Sequence, residues 1–179
     1  MHTFGSAITC VRVKFYKTRT PNPNYNEAGR IRMRTKAAER AVRLFDSGFN
    51  CAESVLLALS EEFDQVVPVV PRIATGFGAG IGRTGQICGA LSGAIMAIGL
   101  KQGCDKPEEK EKRNATYEDI RKMLKAFQKE FRSIECVEIT QCSLQTSKGQ
   151  EKYRKKELRK TLCPRLLSWC ADYIAKKYE

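Results

Sequence analysis

The sequence predicts an all-α protein: a single compact helical domain of about five to six helices, with a Gly-rich loop before a central apolar helix. Two observations carry this reading. Apolar residues recur at three- and four-residue spacing through most of the chain after Thr35. No stretch of that region alternates in the way a convincing sheet would need.

The elements follow in order. Ala37, Ala38, Ala41, Leu44 and Phe45 make the first helical stripe, and Gly48 is placed to stop it. A second helix is expected from Cys51 to about Phe63, opened by Asn50 and Glu53, which are spaced as a capping box. Val55, Leu56 and Leu59 supply its buried face. Pro68 and Pro71 break the next segment. Gly76, Gly78, Gly80, Gly82 and Gly85 then lead into an apolar helix from about Ile87 to Leu100. Its small residues, Gly89, Ala90, Ser92, Gly93, Ala94 and Ala97, let neighbouring backbones approach closely. Residues 103–115 read as a charged linker. Tyr117, Ile120, Leu124, Phe127 and Phe131 mark a helix ending near Arg132. A short turn carries Cys136 and Cys142, a charged stretch from Thr146 to Lys160 has helical character, and a last helix runs from Pro164 to about Lys177.

The chain has 179 residues, 42% of them apolar, which suffices for one core. No run of apolar residues is long enough to span a membrane. Residues 1–15 lack the features of a secretory signal, so a cytoplasmic location is expected. The net charge of +12 is concentrated in two places. Residues 1–34 hold seven Lys/Arg against Glu27, and residues 148–160 hold seven against Glu151 and Glu157. Residues 1–32, with Pro21 and Pro23 and little periodicity, read as a poorly ordered basic arm. Met33 stands directly before the first patterned helix and is an alternative start for a domain of residues 33–179. Nucleic acid is not the expected partner, because neither basic segment carries a stacking-aromatic pattern or a known motif.

The eight cysteines are the chemistry-bearing residues. In a reducing compartment they are not expected to form a disulfide framework, which leaves metal ligands, redox thiols or small buried residues. Four share a position type. Cys51 follows the N-cap Asn50; Cys88 lies in the first turn after the Gly-rich loop; Cys136 follows Ser133, a candidate N-cap, by three residues; Cys163 precedes Pro164, a residue favoured at the first helical position, and so is itself read as an N-cap. Helix N-termini present unpaired N–H groups and a positive dipole end, which stabilise a thiolate. Four such placements argue for a thiolate site if the helix starts converge. Cys142 is near enough to Cys136 to meet it across a turn. Cys170, beside Trp169 and Tyr173, reads as core, and Cys10 and Cys104 are assigned no role.

Gly80-Ile81-Gly82-Arg83-Thr84-Gly85 matches a dinucleotide fingerprint, but it lacks the preceding strand and the later acidic residue. Gly85, Gly89 and Gly93 are expected to let backbone pass close to Cys88 and whatever it holds. The one histidine, His2, lies in the arm, so histidine-dependent triads and metal sites are excluded from the domain. Glu53, Glu135 and Glu138 are read as caps or solvated groups.

These residues resemble a family of redox-active proteins named for its cysteines and a C-G-A-x-x-G motif. The motif is Cys88-Gly89-Ala90-Leu91-Ser92-Gly93. Gly48-Phe49-Asn50-Cys51-Ala52 is similar to the family's upstream signature. Phe131-Arg132-Ser133-Ile134-Glu135-Cys136 and Cys163-Pro164-Arg165-Leu166 are similar to its third and fourth cysteine segments, and Cys142 fits a further cysteine common there. The similarity covers roughly Met33 to Glu179. It implies a redox role for the cysteines without naming a reaction or substrate.

Two versions of that role follow. Two thiolates among Cys51, Cys88, Cys136, Cys142 and Cys163 cycle between dithiol and disulfide, or four of them hold an iron–sulfur cluster. A structural zinc site without redox turnover and a basic nucleic-acid-binding module are the alternatives. The partner is a redox protein or a small thiol, and homo-oligomerisation is left open.

Overall fold

A computed structural model describes residues 35–179. The basic arm and Cys10 lie outside the described residues. Thr35 starts α1 (Lys36–Asp46) by accepting a hydrogen bond from the Ala38 amide through its hydroxyl at 3.2 Å. The stripe from Ala37 to Phe45 is buried, as its spacing predicts. The capping box at α2 (Cys51–Glu62) forms in full. Asn50 Oδ1 accepts from the amides of Ala52 and Glu53 at 2.9 and 3.1 Å, and the Glu53 carboxylate accepts from the Asn50 amide at 2.8 Å. Such a cap contributes about 1 kcal/mol, and here it also fixes where Cys51 stands.

Helix α2 lies at the centre, packed against α1, α4 (Gly89–Gln102) and α9 (Cys163–Lys177). Small residues make the α2–α4 contact. A Cβ at Gly93 would lie 2.5 Å from the Ala52 carbonyl oxygen, so only glycine permits this approach. Between α2 and α4 run a 3-10 segment, η1 (Arg72–Phe77), and a single turn, α3 (Gly78–Ile81). This turn is not regular helix, because Ala79 and Gly80 are left-handed. Setting it aside leaves eight α-helices among the described residues, more than the five to six expected.

The difference has local causes. The 103–115 stretch is not all linker: α5 (Lys110–Phe131) begins inside it, and its solvated first turns carry no apolar stripe to reveal them. The buried face of α5 centres on Met123 and Phe127, whereas Tyr117 is 51% exposed. The Cys136 turn holds a short helix, α6 (Cys136–Thr140). The charged stretch divides into α7 (Ser147–Lys155) and α8 (Leu158–Thr161), separated by left-handed Glu157. No strand forms among the described residues. An isolated bridge between Ile87 and Glu135 ties the entry of α4 to that of α6. No described helix is long and apolar enough to cross a membrane.

Candidate functional site

Each of the four singled-out cysteines stands at a helix start. Cys51, Cys136 and Cys163 are first residues of α2, α6 and α9, and Cys88 is the N-cap of α4. Glu135, not Ser133, is the N-cap of α6, and Leu162, not Cys163, is the N-cap of α9. The Ser133 hydroxyl instead accepts from the Glu135 amide at 3.0 Å, fixing the turn just before α6.

The helix starts converge. Backbone hydrogen bonds run from Cys88 N to Ile134 O (2.8 Å), Cys136 N to Gln86 O (2.7 Å) and Val137 N to Gly85 O (2.9 Å), binding α6 to the entry of α4. Gly80, left-handed at φ 71°, faces Cys136 so closely that a Cβ there would sit 2.7 Å from the Cys136 Cβ. A Cβ at Gly89 would sit 3.0 Å from the Cys51 Cβ. The glycines therefore bring α2, α4 and α6 together at their cysteines. Gly85, Gly89 and Gly93 approach Val137, Cys51 and Ala52, which are protein neighbours.

The four sulfurs share one electrostatic environment, but they are not equivalent. Burial, joined by the negative charge of Cys136, pushes the Cys88 thiol up to about 12, even though the Ala90 and Leu91 amides donate to its sulfur. Burial and the charge of Cys163 push Cys136 up to about 11. Cys51 is raised well above an ordinary thiol by its hydrogen bond to Cys163, then by burial and by the charge of Cys163. Cys163 alone of the four is lowered. The Cys51 thiol donates to it, Tyr153 donates to it, and the Arg159 guanidinium lies nearby, together outweighing burial.

The expectation that a helix start lowers its thiol therefore fails at three positions, and at the fourth the lowering comes from Cys51, Tyr153 and Arg159 and not from the amides of α9. At α2 the first free amides, those of Ala52 and Glu53, are already taken by Asn50. At Cys88 burial outweighs the Ala90 and Leu91 amides, and at Cys136 it outweighs the Thr140 hydroxyl.

The Cys163 surroundings come largely from the charged stretch. Tyr153 on α7 places its hydroxyl 3.1 Å from the Cys163 Sγ. Arg159 on α8 donates to the Phe45 carbonyl at 2.6 Å and lies 3.9 Å above the Phe45 ring. Sequence reasoning missed both residues. The signal available was Tyr153 itself, a lone aromatic within a helix that has no other large apolar residue. Cys51, Cys136 and Cys163 open onto a cavity of about 540 Å³ that Tyr153 and Arg159 also line.

Cys142 is buried, with its backbone amide held by the Thr140 hydroxyl at 3.3 Å, and its charge bears on Cys136. Cys170 is fully buried in the core, as expected. Cys104 accepts from Arg113 at 3.8 Å, away from the cluster. Glu53 serves as a cap and also accepts from the Thr75 hydroxyl at 2.6 Å. All cysteines among the described residues are free thiols, and no three Cys, His, Asp or Glu side chains among them stand together as a metal-ion site.

Comparison with known proteins returns the same family that the motifs resemble. Residues 49–177 match the model of the C_GCAxxG_C_C family, described as "putative redox-active protein". The match begins within the Phe49-Asn50-Cys51 signature and leaves α1 outside it. An uncharacterized protein of Archaeoglobus fulgidus is 39% identical over 66 residues, covering 36% of this chain and 44% of that relative. The aligned region thus spans less than half of the relative's length. No solved structure matches.

Proposed function

Since the chain belongs to the C_GCAxxG_C_C family of redox-active proteins, we propose that Cys163 and Cys51 are its working pair, cycling between dithiol and disulfide. The observation that carries this reading is that Cys51 and Cys163 line the same cavity and act on one another's acidity in opposite directions.

Cys163 is the attacking group. Its thiolate displaces one sulfur of a substrate disulfide, forming a mixed disulfide and releasing the other half as a thiolate. Cys51 then attacks the Cys163 sulfur, and the second half leaves as a thiol carrying the Cys51 proton. Two electrons pass from the protein to the substrate. One S–S bond breaks in the substrate and one forms between Cys51 and Cys163.

The hydroxyl of Tyr153 and the guanidinium of Arg159 hold the attacking form in place. Cys88 and Cys136, both raised by burial, stay protonated at neutral pH and do not compete with Cys163 for substrate.

The four-thiolate reading has one observation in its favour: the charges of Cys88, Cys136 and Cys163 all bear on Cys51. Four thiolates are the usual set for an iron–sulfur cluster, which would supply one-electron transfer. The side chains as they stand hold no metal-ion arrangement among the described residues, so neither this reading nor the structural zinc alternative is preferred.

The test is a titration of the reduced, metal-analysed protein against a glutathione redox buffer, with peptide mapping of the oxidised form. The expected result is loss of two thiols and a Cys51–Cys163 crosslink that Cys163→Ser abolishes with helical content unchanged. Protein purified anaerobically with stoichiometric iron and visible absorbance, or a crosslink that omits Cys163, would overturn the pairing.

A further inference from the structure

We infer that the cavity over Cys163 takes a small disulfide carrying carboxylate groups, a specificity that rests on the dithiol reading above. Three arginines, Arg83, Arg154 and Arg159, line the cavity, and no aspartate or glutamate does. Arg159 is held by the Phe45 carbonyl and ring, and its charge bears on Cys163. Arg83 and Arg154 are exposed, and neither guanidinium has an ion-pair or hydrogen-bond partner among the described residues.

The neighbouring acids are already engaged. Glu151 pairs with Lys155 at 2.8 Å, and Glu157 pairs with Lys160 at 2.9 Å. Within this stretch the lysines take the carboxylates, and Arg154 is left facing the cavity. Arg83 lines the cavity from a separate segment, the left-handed turn after α3, at φ 71°.

A guanidinium presents a planar fork that matches a carboxylate in bidentate fashion. Two uncommitted forks beside a nucleophilic sulfur suit a ligand with an anionic group on either side of a central S–S bond. At about 540 Å³ the cavity has the size of a small-molecule site. The opposing consideration strengthens the inference: a thiolate repels an anionic disulfide, so a site without compensating cations would disfavour such a substrate.

The experiment compares how fast reduced protein loses thiols to dithiodipropionate (a dianion), hydroxyethyl disulfide (neutral) and cystamine (a dication). Each rate is divided by that of free cysteine with the same reagent, which removes leaving-group differences. The expected result is a normalised preference of about tenfold for the dianion over the neutral reagent, lost in the Arg83→Gln/Arg154→Gln double variant. An unchanged rate with hydroxyethyl disulfide in that variant shows that the thiols themselves are intact.

A wild-type preference no different from free cysteine overturns the specificity and leaves the dithiol reading standing. If none of the three reagents oxidises the pair, the dithiol reading falls, and the arginines are tested separately. Calorimetric titration of dithiodipropionate into the Cys51→Ser/Cys163→Ser protein then supports anion binding if heat is seen and is lost in the arginine double variant. Absence of binding refutes it.

Discussion

Replacing Tyr153 by Phe removes one atom from the Cys163 environment and keeps the ring that packs near Cys136, Cys142 and Leu144. The lost contact is the hydroxyl at 3.1 Å from the Cys163 sulfur. A hydrogen bond to a charged group contributes about 1.5–3 kcal/mol. Tyr153 is only half-buried, so the lower figure applies, and about 1.4 kcal/mol corresponds to one pH unit in a thiol's ionisation. The Cys163 pKa should therefore rise by about one unit. Below both pKa values the thiolate fraction falls about tenfold, but a more basic thiolate is intrinsically about threefold more nucleophilic. Alkylation by iodoacetamide should thus slow by about threefold at low pH and speed up by about threefold on the alkaline plateau. The assay is iodoacetamide labelling of Cys163 across pH, read by peptide mass spectrometry. Loss of packing alone would alter rates in one direction at every pH. A profile without the crossover refutes the claim that Tyr153 donates to a Cys163 thiolate.

Two further outcomes are expected. Gly80→Ala places a Cβ at φ 71° and 2.7 Å from the Cys136 Cβ, which should cost about 2–4 kcal/mol from left-handed strain and overpacking. Gly76→Ala, with no atom within 4 Å, should be nearly neutral, and denaturant unfolding of the pair checks the contrast. Alkaline stability should also report on the buried thiols. Cys88, 3% exposed, ionises at about 12 when folded against 9.0 for an ordinary thiol. Its folded pKa is raised, so the stability it contributes is complete below pH 9 and is lost as the unfolded chain ionises between 9 and 12, by about 4 kcal/mol across the window. Cys88→Ala should flatten urea midpoints measured across that window, and an unchanged slope would show that burial does not hold this thiol protonated.

The sequence carried the α-helical class and the placement of the cysteines because both are written locally. The Asn50–Glu53 spacing identifies the start of α2, and Pro164 following Cys163 identifies the start of α9. What local pattern does not carry is which of four similar helix starts is electrically favourable. That depends on Asn50 using up the α2 amides and on Tyr153 and Arg159 arriving from a charged stretch that periodicity reads as solvated surface. The first turns of α5 were hidden for a related reason: the helix starts at Lys110, but its apolar stripe begins only at Tyr117, two turns later.

The asymmetry of the pair also orders the two steps of exchange. Cys51 is held protonated most strongly by hydrogen bonding to Cys163, and to a lesser extent by burial and the charge of Cys163. While Cys163 is a thiolate, Cys51 is therefore kept out of the reaction and serves to stabilise the attacking sulfur. Once Cys163 enters a mixed disulfide it is neutral, and the hydrogen bond and the Coulombic contribution both disappear. Cys51 then needs less to lose its proton, at the moment when its attack on the Cys163 sulfur is required. Burial persists through both states, so the release is partial, and resolution is expected to be the slower step. The same contact that activates Cys163 thereby restrains Cys51 until a substrate is attached.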